Sequence, residues 1–198
     1  MNEQLILASA SPRRQELLDQ IGVSYIVYPV DIDETPKYEE IAEEYVIRVA
    51  AEKSAVCQQK LTTPLPILAA DTSVVINGHI LGKPENEEHA VQMLQQLSGN
   101  KHRVYSAVSV RGITPNSESL YHHQALSITE VKFRTIEPKE IKAYWKTKEP
   151  QGKAGAYAIQ GLGSVFVESI SGSFSGVMGL PLFETVELLS KQGIKVIT

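Results

Sequence analysis

From its first residues this chain alternates short apolar runs with segments of helical period, an order that restricts it to an α/β sandwich. Leu5–Ala8 reads as a buried strand, Ser11 and Pro12 as an N-cap and first-turn proline, and Arg13–Ile21 as a helix closed by Gly22. A second strand is expected at Ser24–Pro29, followed by the acidic loop Asp31-Ile-Asp-Glu34. The longest helical pattern runs from Tyr38 to Lys60. Ile67–Ala70 is a short apolar strand, and Ser73–Ile76 and His79–Leu81 flank Asn77-Gly78, a strong hairpin-turn pair. Further helices are expected at Asn86–Leu97, Pro138–Thr147 and Leu182–Gln192, with strands at Arg103–Ile113, Leu126–Phe133, Ser164–Ser169 and Lys195–Ile197. Pro115–His123 reads as a polar connection, its His122-His123 pair at the surface, and Gly152–Gly163 as a glycine-rich segment. No repeat or linker interrupts the pattern, so one domain is expected over the 198 residues, folded as two lobes around a cleft.

Charge narrows the ligand. The formal net charge of −4 argues against a general nucleic-acid binder, which carries a basic excess. An anion site in such a chain must be a local cluster of cations, which favours a small phosphorylated ligand. Cys57 is the sole cysteine, so neither an internal disulfide nor a cysteine-based zinc site can form. Arg13 and Arg14 follow the first apolar run instead of preceding it, unlike a secretory signal, and no stretch approaches the roughly 20 apolar residues of a membrane helix. The expectation is a cytoplasmic protein with no membrane partner; a homodimer is left open.

Several segments carry candidate chemistry. Ser9-Ala-Ser-Pro-Arg-Arg14 joins a strand to a helix, where unpaired first-turn amides and the positive end of the helix dipole attract phosphate. Ser9, Ser11, Arg13 and Arg14 add hydroxyl donors and two guanidinium forks; the same residues would also serve as an exposed cap with solvated arginines. Lys53 falls within the apolar stripe of Val46, Val49, Ala50, Val56 and Cys57. A lysine there either snorkels to water or meets an anion at the end of its stem. Asp71, just past Ile67–Ala70, is placed to act as a general base, to hold a divalent metal, or simply to cap a turn. Gly82-Lys83-Pro84 presents a lysine on a stiffened exit, and Lys153 to Gln160 offers a cation, an aromatic ring and an amide able to read a base edge. Asp33 and Glu34 form either a metal-binding arm or a solvated acidic loop.

In LILASASPRR, VDIDET, EKSA, AADTSVVINGHILGKP, LSGNKHRVYSAV, KAGAYAIQG and GVMGLPL the chain resembles the Maf family, first described as septum-formation inhibitors and now regarded as nucleoside triphosphate pyrophosphatases. The resemblance runs nearly end to end. It implies a Maf/Ham1-like (ITPase-like) fold, a mixed sheet with flanking helices and a deep cleft between two lobes. It also implies hydrolysis of a nucleoside triphosphate to the monophosphate and pyrophosphate, with a divalent cation, Mg²⁺ or Mn²⁺. Carried across by motif, Asp71 becomes the proton acceptor and Arg13, Arg14, Lys53 and Lys83 become phosphate ligands, with Ser9 and Glu34 nearby. Glu34 and Asp71 are the metal candidates. Arg13, Thr72 and Gln160 match the branch resembling dTTP/UTP pyrophosphatases, so a pyrimidine triphosphate is the expected substrate. Two other readings fit the same residues: a pyrophosphatase for a purine or modified nucleotide, and a nucleotide-binding regulator of division. The chain departs from many relatives at Gly152, where they carry aspartate, and at Ala158, where they carry glycine. Alanine adopts positive φ less readily, so the loop bearing Gln160 is expected to sit differently.

Overall fold

A computed structural model describes residues 3–113 and 119–197. The strands are β1 (Leu5–Leu7), β2 (Tyr25–Val27), β3 (Ile67–Ile76), β4 (His79–Leu81), β5 (Lys101–Ile113), β6 (Leu120–Phe133) and β7 (Val167–Ser171). They form one sheet in the order β2-β1-β3-β5-β6-β7, with β4 also on β3. β1 pairs in parallel with both β2 and β3, whereas the remaining pairs are antiparallel. The helices are α1 (Pro12–Gln20), α2 (Ala42–Lys60), α3 (Glu87–Leu97), α4 (Pro138–Lys146), α5 (Phe174–Met178) and α6 (Leu182–Ser190). The expected mixed α/β sheet with flanking helices is therefore present.

Local chemistry explains most of the boundaries. Pro12 and Pro138 occupy first-turn positions, where a missing N–H costs nothing. Asn86 caps α3 by accepting the His89 N–H at 2.9 Å, and Glu137 with Glu140 forms a capping box on α4. Asn77 (φ 51°) and Gly78 (φ 80°) both adopt the left-handed conformation that the β3–β4 turn requires. Ser11 stands at the α1 N-cap position but makes no side-chain cap bond.

β3 organises the molecule. β5 covers one of its edges from Ile67 to Val75. On the opposite edge β1 reaches only Leu68 and β4 begins only at Val74, so Ala69–Ser73 has no neighbouring strand on that side. The sheet thus contains a gap bounded by the end of β1 and the start of the hairpin. On one face, α2 packs Val46, Val49 and Ala50 beside Ala107, while Cys57 meets Ala69. On the other, Leu68 and Ala70 join a cluster with Leu17, Leu18 and Leu189, and Val74 joins a separate one with Leu94, Phe133 and Tyr157.

Five sequence expectations are corrected. Ile67–Ala70 and Ser73–Ile76 are one continuous strand, because Asp71 and Thr72 keep their pairing with β5. β6 starts at Leu120, well before Leu126: one of its faces is solvated, so its outer residues, including His122, looked like loop. His122 and His123 consequently lie in a strand, although His122 is exposed as expected. Of the anticipated connection, residues 114–118 lie outside the described residues. Leu162–Phe166 is a 3₁₀ turn, and β7 begins only at Val167. Lys195–Ile197 forms no strand; Val196 packs on the α6-side cluster as irregular chain instead. The five-residue α5 was not anticipated, being too short to show a period.

The loop between β2 and α2 is tied down by Arg48, which donates to Glu40 Oε2 at 2.7 Å, to Thr35 O at 3.2 Å and to Glu52 at 3.1 Å. The Arg48 hydrogen bond outweighs desolvation and holds the Glu40 carboxyl down at about 2. A carboxyl depressed in the folded state stabilises above its unfolded value and loses that contribution as pH falls through the folded one. Wild type is therefore expected to lose this stabilisation between about pH 4.5 and pH 2, and Glu40→Gln to lose less over that window. Thermal unfolding at pH 7 and pH 3 checks it; equal losses in the two proteins would remove the Arg48–Glu40 pair from the account.

Candidate functional site

The gap in the sheet opens into a cleft of about 510 Å³ lined by Ser9, Arg13, Arg14, Glu34, Lys53, Asp71, Thr72, Lys83 and Gln160, whereas Asp33 is exposed and does not line it. The lining residues come from separate elements, and the gap explains their meeting. Where β1 ends, the chain turns into α1 and delivers Ser9, Arg13 and Arg14 to one wall. α2 supplies Lys53 from one face of the sheet, β3 supplies Asp71 and Thr72 along the open edge, and the exit of β4 supplies Lys83. Asp71 is thus inside its strand; the C-terminal strand end it lies beyond is that of β1.

Lys53 is 8% exposed and Asp71 6%. The Lys53 ammonium donates to Asp71 Oδ1 at 2.9 Å and contacts Glu34 Oε1 at 2.8 Å. The anions at the end of its stem are therefore two carboxylates of the chain itself. Asp71 Oδ2 makes no hydrogen bond to the described residues and stays available in the cleft. Desolvation pushes the Glu34 carboxyl up, but the Lys53 hydrogen bond and charge, aided by Lys83 and Arg14, leave it below its ordinary value. The Tyr45 hydroxyl donates to Glu34 O at 2.9 Å and holds that segment over the cleft.

The two arginines are aimed by backbone carbonyls. Arg13 Nε donates to Met178 O at 3.2 Å and Arg14 Nε to Gly179 O at 2.9 Å, while Arg14 Nη1 donates to Ser9 Oγ at 2.9 Å. Both nitrogens at the tip of Arg13, and Nη2 of Arg14, make no hydrogen bond to the described residues. Burial lowers the Arg14 pKa, Asp71 and Glu34 oppose it, and Arg13 pushes it further down. Lys153 is likewise lowered, first by burial and then by the Arg13 charge, against Glu149. Among the described residues Arg13, Arg14, Lys83 and Lys153 form no salt bridge, and the cleft's two carboxylates both engage Lys53. Four cations thus face one cavity with no salt-bridge partner among the described residues, in a chain whose net charge is negative. Crowded like charges at a partly dry surface favour a polyanionic ligand.

Gln160 is exposed on a loop fixed by Glu149. That carboxylate accepts from Leu162 N and Gly163 N, both at 2.9 Å, and from the Tyr144 hydroxyl at 2.7 Å, which itself accepts from Ala158 N at 3.1 Å. The left-handed residues of the Gly152–Gly163 segment are Gly152 (φ 67°), Gly155 (φ 66°) and Ala156 (φ 59°), not Ala158. Ala158 is not left-handed, so the backbone cost expected of alanine there does not arise. Gly155 is required: a Cβ there would meet Val74 at 2.9 Å, and its N–H donates to Gly82 O, joining this segment to the β4 exit beside Lys83. Sequence reasoning gave no role to the Met178 and Gly179 carbonyls or to Tyr45. The glycines of GVMGLPL were the signal available for the first two; Tyr45 had none.

Among the described residues no group of three or more His, Cys, Asp or Glu gathers to hold a metal. Glu34 and Asp71 are the cleft's carboxylates, and Lys53 stands between them. Two carboxylates beside a phosphate-receptive surface suit Mg²⁺ or Mn²⁺, which take one or two protein oxygens and complete their shell with phosphate and water. Among the described residues no helix is long and apolar enough to cross a membrane.

Fold and cleft together define an α/β protein with a cation-lined cleft set into a gap in its sheet. The chain belongs to the Maf-like protein family, whose profile matches residues 4–192. It is 52% identical to the dTTP/UTP pyrophosphatase of Methylococcus capsulatus over 96% of this chain and 91% of that protein. It is 48% identical to the one from Methylobacillus flagellatus, over 97% of this chain and 94% of that protein. A solved structure, the Staphylococcus aureus Ham1 protein, covers 64% of this chain and 71% of its own at 18% identity, with a TM-score of 0.41.

Proposed function

We propose that this protein hydrolyses dTTP and UTP to the nucleoside monophosphate and pyrophosphate, in the cytoplasm, with Asp71 as general base. The observation that carries the reading is the set of unpaired cations, Arg13, Arg14, Lys83 and Lys153, facing the cavity that also holds Asp71. The printed activity of the two relatives supports it.

In this reading the cations and the first-turn amides of α1 receive the triphosphate oxygens and orient the α-phosphorus. Asp71 has one oxygen fixed by Lys53, so the other, Oδ2, is left to accept a proton from water. The water oxygen forms a bond to the α-phosphorus, the bond from that phosphorus to the α,β-bridging oxygen breaks, and pyrophosphate leaves with the electron pair. Lys53 holds Asp71 in orientation, and Ser9 steadies Arg14. Thr72 and Gln160, which both line the cleft, are assigned to reading the base. Mg²⁺ or Mn²⁺ held by Glu34, with Asp71 as the second candidate, would neutralise charge on the phosphates. Positioning and charge stabilisation supply most of the acceleration, because the protein has little covalent work to do.

The test is pyrophosphate release across UTP, dTTP, CTP, ATP, GTP and modified pyrimidine triphosphates, with Mg²⁺, with Mn²⁺ and with chelator. UTP and dTTP are expected to lead, and chelator to abolish release. Saturable nucleotide binding with no pyrophosphate under any metal condition would overturn the proposal.

A further inference from the structure

Behind Thr72 lies a chain of hydroxyls whose proton direction is set by the fold. Ser106 stands directly opposite Thr72 on the neighbouring strand β5. Its side chain is 1% exposed, and its Oγ lies 2.6 Å from Gly176 O and 3.0 Å from Thr72 Oγ1. A carbonyl oxygen accepts only, and two oxygens at 2.6 Å need a proton between them. Ser106 has a single hydroxyl proton, so it goes to Gly176 O. Thr72 must then donate its own proton to Ser106. What Thr72 Oγ1 turns toward the cleft is a pair of acceptor lone pairs and no donor.

We infer that Ser106 is a positioning residue that fixes Thr72 as an acceptor for the ring N3–H of a uracil or thymine base. This rests on the pyrimidine reading above. Phosphate and carbonyl oxygens cannot donate, so the ligand group meeting Thr72 must carry a hydrogen. In a uracil or thymine ring the imide N3–H does so, whereas N3 of cytosine is itself an acceptor and meets lone pairs with a lone pair. A site whose polarity is preset rejects the mismatched ring more strongly than one whose hydroxyl can rotate. Ser106→Ala frees the Thr72 proton and lets the hydroxyl turn either way.

The experiment compares kcat/KM for UTP and CTP in wild type, Ser106→Ala, Thr72→Val and the double variant, with inhibition by pyrophosphate as a measure of the untouched cation cluster. Ser106→Ala is expected to shrink the UTP:CTP ratio by about 5–10-fold, the loss of one oriented hydrogen bond, while pyrophosphate inhibition holds. In the Thr72→Val background Ser106→Ala should leave the ratio where it is, since the group it acts through has gone. N3-methyl-UTP, which needs no variant, should be a poorer substrate than UTP for wild type and an equally poor one with or without Ser106. A wild type that favours UTP while Ser106→Ala keeps the full ratio overturns the inference alone. A wild type with no preference for UTP over CTP sinks the dTTP/UTP reading beneath it. If 2′,3′-dideoxyuridine triphosphate proves insensitive to Ser106→Ala while UTP responds, the donor is a ribose hydroxyl and the assignment to the base is overturned.

Discussion

Replacing Asp71 by asparagine is expected to lower turnover by about 10²–10⁴-fold while the nucleotide still binds within a few-fold of wild type. Asparagine keeps an oxygen for the Lys53 ammonium, which sits 2.9 Å from Asp71 Oδ1, so the cleft should retain its shape. The atom that changes is Oδ2, which makes no hydrogen bond to the described residues and becomes an amide nitrogen unable to take a proton from water. Binding should survive because the cations that receive the phosphates are held elsewhere: Arg13 by Met178, Arg14 by Gly179 and Ser9. Single-turnover product formation beside direct nucleotide titration separates the two quantities. Affinity falling in step with turnover would make Asp71 a binding group and remove it from the proton transfer.

The second large effect is expected from Lys53→Met, which keeps the stem and deletes the charge. Glu34 and Asp71 would then face the same space with no cation between them, and two neighbouring carboxylates raise the pKa of one. The acid limb of the pH profile of kcat/KM should move upward, and activity at neutral pH should fall by about 10²-fold, the size expected when Asp71 loses the group that orients it. Stability should drop by about 3 kcal/mol at neutral pH, the low end for removing one partner of a buried ion pair, because the largely buried Asp71 loses its partner. That deficit should shrink as pH falls and one carboxyl protonates. Thermal unfolding and initial rates measured over the same pH series test both halves. An unchanged acid limb would mean that Lys53 serves only as packing.

Much of this site was legible in the sequence because its residues announce themselves by misplacement. Lys53 interrupts an apolar stripe, which calls for an escape to water or an anion at the end of its stem. Pro12 after Ser11 marks a helix start, which fixes the neighbourhood of Arg13 and Arg14 before any fold is known. The position of Asp71 was read from the wrong strand end: four apolar residues followed by an acid look like a strand that stops. In the fold β5 carries the pairing straight past Asp71 to Val75, and a partner 36 residues further along cannot be seen in a local pattern. The Arg13 and Arg14 anchors were out of reach for the same reason, since both carbonyls lie 165 residues away in sequence. Ser106 carried no signal at all: a serine in an alternating strand is ordinary until its only proton is seen to have one destination.

The sequence by itself determined the alternation of strands and helices, the hairpin at Asn77-Gly78 and the kinds of side chain available for phosphate and proton chemistry, because period, turn and charge act over a few neighbouring residues. Only the tertiary structure decided that β1 and β4 would leave β3 uncovered between Leu68 and Val74, that Lys53 would answer to two carboxylates of its own chain, and which way the Thr72 hydroxyl donates. Those outcomes depend on which strand edges and which lone pairs meet, and pairing across long stretches of chain is chosen by the packing of the whole sheet.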